Sequence, residues 1–162
     1  MLRLRLTCIP VDAAAAPREK VIAIFRHSVF IARPAEQVFA AVADVTRHSL
    51  WQKGLLRSEA PAENPARVGA RGVEVRRMFG REVRFPYEIT VHSSPKAWGF
   101  RVLEGPIRLS AILSFTTERD GTRVESELHV PGALGHLLGP LMLSQQRGNY
   151  ARLKALLEEG RL

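Results

Sequence analysis

The order of elements in this 162-residue chain predicts an α+β fold: a curved antiparallel sheet wrapped around a long C-terminal helix, with two short helices after the first strand. Three observations predict it. A strand-like segment at 24–32 runs into a proline-started helical stretch, alternating segments fill residues 73 to 130, and one amphipathic helix closes the chain through Leu153, Leu156 and Leu157. A sheet and helix in this arrangement leave a cavity between them, so the pattern points to binding of an apolar small molecule.

In the first strand, Phe25, Val29 and Ile31 alternate with Arg26 and Ser28, the period of two expected of a half-buried strand. Pro34 suits the first turn of a helix, where its missing N–H costs nothing. Val38, Phe39 and Val42 then recur at helical spacing, and Asp44 is placed to cap a second short helix that carries His48 and ends near Trp51. From Leu55 to Gly69 the pattern reads as a strand and an irregular loop broken by Pro61 and Pro65.

Strand signals resume with Val73 and Val75. The clearest run follows, Val83, Phe85, Tyr87, Ile89 and Val91 alternating with polar residues, although Pro86 implies a bulge or an edge position. Trp98, Phe100 and Val102 form the next apolar face, and Gly105 and Pro106 end it. Leu109, Ala111, Leu113 and Phe115 form another, Asp120 and Gly121 make a hairpin turn, and Val124, Ser126, Leu128 and Val130 complete the series. Parity puts these faces on the concave side and leaves Arg84, Arg101, Arg108, Arg123 and the glutamates facing water. After Pro131 and Gly132 comes the terminal helix, where Gly139 and Pro140 predict either a kink or a fresh start.

Composition gives the outer limits. With 46% hydrophobic residues the length suits one core, so residues 21–162 are read as a single domain and residues 1–20 as a weakly structured leader or edge segment. The apolar part of that leader is too short for a signal peptide and Asp12 interrupts it, and no stretch approaches the roughly 20 apolar residues of a membrane span. One cysteine, Cys8, cannot form an internal disulfide and fits a reducing compartment, so a cytoplasmic location is expected. The five histidines show no metal-ligand spacing, and neither a metal nor a cofactor is expected. The net charge of +8 comes largely from arginines dispersed along strands among glutamates, the pattern of a cross-strand ladder on the outer sheet face.

Taken in order, Ile31, Pro34, Glu36, Val38, Phe39, Asp44, Trp51, Val68 with Gly69, Gly121 to Val124, and Leu153 to Leu156 resemble the SRPBCC superfamily, also called START-like or Bet v 1-like. Within it the likeness is to the polyketide cyclase/dehydrase and lipid-transport family, over about residues 26 to 158. The resemblance implies a helix-grip fold over a deep pocket. It does not choose among carriers, receptors, cyclases and toxin-like members, because one fold hosts many functions.

Residues expected to line the pocket are Trp51, Val75, Phe85, Tyr87, Ile89, Trp98, Phe100, Leu113, Phe115, Ser126, Leu138 and Leu141. Catalytic candidates are Tyr87, whose buried hydroxyl would need a partner, Arg77, which shares the parity of Val73 and Val75, and His48 beside Trp51. A core tyrosine, a surface arginine and a structural histidine are the plainer readings of the three, and no nucleophile and base pair is legible. Three functions follow: carriage of a lipid, quinone or polyketide-like aromatic; pocket-templated ring closure by a cyclase, aromatase or dehydratase; and binding of RNA, ribosome or an acidic partner or membrane through the arginine-rich face, with nucleic acid ranked last because no compact basic block is present.

Overall fold

A computed structural model describes residues 22–60, 67–78 and 80–162, so the leader, Cys8, Pro61 and Pro65 lie outside the described residues. The chain runs β1 (Ile22–Ile31), α1 (Ala35–Ala43), a 3-10 turn (Val45–Arg47), α2 (His48–Trp51), β2 (Leu55–Glu59), β3 (Arg71–Met78), β4 (Arg81–Ser93), β5 (Ala97–Val102), β6 (Ser110–Glu118), β7 (Gly121–Pro131) and α3 (Ala133–Glu158). All seven strands join one antiparallel sheet in the order β1-β7-β6-β5-β4-β3-β2. The expected architecture is thus present, with α1 and α2 between the two edge strands and α3 packed along the sheet.

The two ends of the chain are tied by hydrogen bonds that answer a specific need. The last carbonyls of a helix have no intrahelical partner. In α3 the Arg33 side chain supplies donors to two of them, Nε to the Leu157 carbonyl at 3.0 Å and Nη2 to the Glu158 carbonyl at 2.5 Å. In return Glu158 Oε1 accepts from the Ala32 N–H at 2.8 Å, and Lys154 Nζ donates to the Phe30 carbonyl at 2.8 Å. The link between β1 and α1 therefore serves as the C-cap of α3.

Local signals hold in detail with a few displacements. Asp44 caps the 3-10 turn that leads into α2, its Oδ1 accepting from the Thr46 N–H and hydroxyl at 3.1 and 2.5 Å. The hairpin turn sits one residue earlier than expected, at Arg119 and Asp120, with Gly121 already in β7. Pro86 lies inside the sheet, next to the position where β5 pairing ends at Tyr87 and Val102, and the bulge falls instead between Ile89 and Val91. One helix runs through Pro140, so there is no fresh start. Gly139 explains the seating: a Cβ there would meet the Phe25 ring at 2.5 Å, so only a glycine lets α3 lie this close to β1.

One parity reading is corrected. In β3 the register sets Glu74 opposite Phe85 and Gly72 opposite Tyr87, while Val75 lies opposite the outward Arg84. Glu74 and Arg76 therefore face inward, and Val75, although buried, belongs to the other face. An ion pair that neutralises itself in the interior has displaced the hydrophobic residues that alternation would place there.

On the outer face several of the arginines are paired. Arg26 meets Glu127 at 2.7 Å, Arg84 meets Glu59 at 3.1 Å, Arg123 meets Glu118 at 2.9 Å, and Glu88 lies between Arg71 and Arg101 at 3.2 and 3.0 Å. Among the described residues no helix is long and apolar enough to cross a membrane.

Candidate functional site

Between the sheet and the first half of α3 lies a cavity of about 300 Å³. Its walls come from every layer: Trp51 of α2, Phe85 of β4, Trp98 and Phe100 of β5, Ala111 and Leu113 of β6, Leu128 of β7, and Leu138, Leu141, Met142 and Tyr150 of α3. Strand register explains the sheet part. Trp98 stands opposite Leu113, Phe100 opposite Ala111, and Ala111 opposite Leu128, so one inward row crosses three strands. Leu141 lines the cavity yet is 68% exposed, which places it at the mouth, beside Leu137 at 77%.

Of the residues expected at the site, Trp51, Phe85, Trp98, Phe100, Leu113, Leu138 and Leu141 line this space, as do His48 and Arg77. Ile89, Phe115 and Ser126 are buried in the core outside the lining. Tyr87 faces inward, as its parity predicts, but its ring crosses over Gly72, where a Cβ would overlap the phenol oxygen, and it too lies outside the lining. The hydroxyls of Tyr87 and Ser58 are near one another and buried without a well-formed hydrogen bond. Burial pushes the Tyr87 phenol up to about 12, opposed by Ser58 and aided by the Glu74 charge. Tyr87→Phe should accordingly change stability by less than about 1 kcal/mol, because the hydroxyl it removes makes no good bond; a loss above about 2 kcal/mol in urea unfolding would contradict this placement.

The polar end of the cavity escapes sequence reading. His48 is 2% exposed. Its Nε2 lies 2.7 Å from the Val42 carbonyl and its Nδ1 lies 3.3 Å from Glu74 Oε1, so both ring nitrogens face acceptor oxygens. Glu74 Oε2 accepts from Arg76 Nε and Nη2 at 3.0 and 2.8 Å, and Arg76 Nη2 also donates to Gln52 Oε1. Burial alone would raise the Glu74 carboxyl, but the hydrogen bond from His48 and the charges of Arg76 and His48 overcome it and hold the group at about 2. Both ring nitrogens of His48 thus have protein partners. Arg77 is exposed at the edge of the cavity.

Aromatic rings frame this cluster. His48 meets Trp51 and Trp98 edge-on at 5.1 and 5.7 Å, Trp98 packs on Phe100 at 5.4 Å, and Trp51 lies 6.1 Å from Tyr150. Tyr150, which the sequence reading passed over, is buried, and burial raises its phenol to about 12 against the opposing bond with Ser126. The indole N–H groups of Trp51 and Trp98 and the Gln146 Oε1 are buried with no hydrogen-bond partner among the described residues. The loop after α2 is fastened to α3 by Asn149 Oδ1, which accepts from the Lys53 N–H at 2.9 Å, and by Gln145 Nε2, which donates to the Lys53 carbonyl at 3.2 Å. Those two residues are four apart, one helical turn, so one face of α3 holds both.

The family model described as polyketide cyclase/dehydrase and lipid transport matches residues 23–158. No curated protein matches the chain. Among solved structures, TTHA0849 from Thermus thermophilus is similar at 26% identity and a TM-score of 0.65, over 85% of this chain and 95% of that one. The di-domain ARO/CYC StfQ from the steffimycin biosynthetic pathway is similar at 13% identity and a TM-score of 0.72, over 85% of this chain and 52% of that one. Ara h 8.0201 is similar at 10% identity and a TM-score of 0.69, over 83% of this chain and 97% of that one. The last two likenesses show the shared fold.

Proposed function

Because the chain belongs to the polyketide cyclase/dehydrase and lipid-transport family, we propose that it binds and carries a hydrophobic small molecule, a lipid, quinone or polyketide-like aromatic, in the cavity between the sheet and α3. The observation that supports this reading is a concave space walled mainly by apolar and aromatic side chains, with polar groups at one end, the usual composition of a small-molecule site. Apolar burial would supply most of the affinity, at roughly 25 cal/mol per Å² before the cost of ordering. Ring closure is the second reading, favoured by one feature: Arg76 reaches the cavity with a guanidinium able to polarise a carbonyl. The carrier reading ranks first because His48 is fully bonded, Tyr87 is outside the lining and Arg77 is at the edge. A cytoplasmic location belongs to the same proposal, as the setting in which a small ligand is passed between partners. The ion pairs along the sheet leave little of the arginine-rich face for RNA or an acidic membrane.

Native and denatured mass spectra of the purified protein test the proposal. A defined mass present only under native conditions is the expected result. A protein that is empty and also takes up no ligand from a panel of naphthyl compounds would overturn it.

A further inference from the structure

The charges around the cavity do not balance. Among the described residues its charged lining consists of one acid, Glu74, and the basic residues His48, Lys53, Arg76 and Arg77. Lys53 and Arg77 are exposed, where water screens them, but His48 and Glu74 are buried and only 24% of the Arg76 side chain is accessible. Both oxygens of Glu74 are already used, one by His48 and the other by Arg76. The one acid of the lining is therefore fully engaged, and the cavity presents basic and N–H groups with no free carboxylate among the described residues.

The unused donors lie at the same end. Arg76 Nη1 donates to no described residue, whereas Nε and Nη2 are bound to Glu74 and Gln52. Trp51 and Trp98 both pack edge-on against His48, and their buried indole N–H groups also lack acceptors among the described residues. Against these three donors, the one buried side-chain acceptor left unpartnered in the described lining is Gln146 Oε1. A volume of about 300 Å³ is at the small end for a ligand site.

Building on the ligand-binding reading above, we infer that the ligand is a compact apolar acid, an aromatic or alicyclic body bearing one anionic oxygen, with that oxygen held at Arg76 between the two tryptophans. A carboxylate and a phenolate share this chemistry. Either brings a negative charge to a cavity whose one acid is already engaged and accepts from the spare guanidinium donor, and a charge-assisted bond of this type is about twice as strong as a neutral one.

Calorimetric titration with 2-naphthoate, its neutral counterpart 2-naphthamide, and 4-nitro-1-naphthol in its ionised form decides the matter. We expect naphthoate to bind at least about tenfold more tightly than naphthamide; tighter binding of the naphtholate than of naphthoate would assign the oxygen as a phenolate. Arg76→Gln should abolish the preference. Glu74→Gln should have the opposite effect, raising the ratio of naphthoate to naphthamide affinity several-fold; because the two ligands are compared on one and the same variant, a partly unfolded fraction lowers both alike and the ratio still decides the test. Arg101→Gln, on the outer face of the sheet and outside the cavity lining, should alter neither. Naphthamide binding as well as naphthoate would overturn this inference and leave the carrier reading intact, whereas no binding by any of the three compounds, in a protein that also purifies empty, would remove both. A preference that survives Arg76→Gln and disappears in Lys53→Gln would overturn the assignment to Arg76.

Discussion

Glu74→Ala is expected to destabilise the fold by about 3–5 kcal/mol, the range for breaking a buried ion pair from one side. The cause is what the substitution leaves behind. His48, 2% exposed, loses the partner of Nδ1, and Arg76 loses the carboxylate that holds Nε and Nη2. A guanidinium does not shed its charge, so Arg76 is left as a part-buried cation without its counter-ion. Urea unfolding at neutral pH checks the magnitude, and a loss below about 1 kcal/mol, the range of an exposed pair, would mean that the pair is solvated.

Acid gives the same interaction a second test with a defined sign. The Glu74 carboxyl is held at about 2 in the folded protein, against an ordinary value of 4.5 when unfolded. A depressed carboxylate contributes stability that is complete above the unfolded value and disappears as pH falls through the folded one. The difference corresponds to about 3 kcal/mol. The stability gap between the native protein and Glu74→Gln should therefore be wide at neutral pH, begin to close near the unfolded value of 4.5 and be largely shut at the folded value of about 2. Groups such as Glu127 and Glu158, also lowered by their partners, titrate in both proteins and cancel in the comparison. A gap that stays constant with pH would refute the assignment.

That pair also marks where sequence reading stops. Alternation carries two possible answers for each strand, and hydrophobicity selects one. In β4 the choice is correct: Phe85, Tyr87 and Ile89 are all buried on the inward side. In β3 the same rule chooses Val73 and Val75, and the register reverses it because the alternate positions hold Glu74 and Arg76, which satisfy one another. The available signal was two opposite charges two residues apart on one strand face, followed by Met78, but a single sequence offers no way to prefer a buried pair over a solvated one. Trp51 and Trp98 were legible as pocket walls because large rings on inward parity have few other places to go. Tyr87 was legible as inward but not as remote from the cavity, since that depends on the space over Gly72. The tie between Arg33 and the carbonyls of α3 joins residues 124 and 125 positions apart, a separation that no local pattern spans.

Ala111→Phe is expected to empty the cavity of ligand while leaving the fold in place. Ala111 is buried on the interior strand β6, opposite Phe100 on one side and Leu128 on the other, and all three line the cavity. A methyl group here marks the floor, and a benzyl group in its place would stand where the body of the ligand is proposed to lie. Filling a pre-existing space replaces lost dispersion contacts, so the usual overpacking cost of about 1–3 kcal/mol should be partly offset. Affinity for an apolar ligand should nevertheless fall by about a hundredfold or more, equivalent to roughly 3 kcal/mol, because the new ring and the ligand exclude each other. The contrast with Glu74→Ala is the useful part. One substitution removes stability through charge and the other removes binding through volume, so unfolding and titration measured on both variants separate the two roles of the site. Undiminished ligand binding by a folded Ala111→Phe protein would place the ligand elsewhere and refute the cavity as the carrier site.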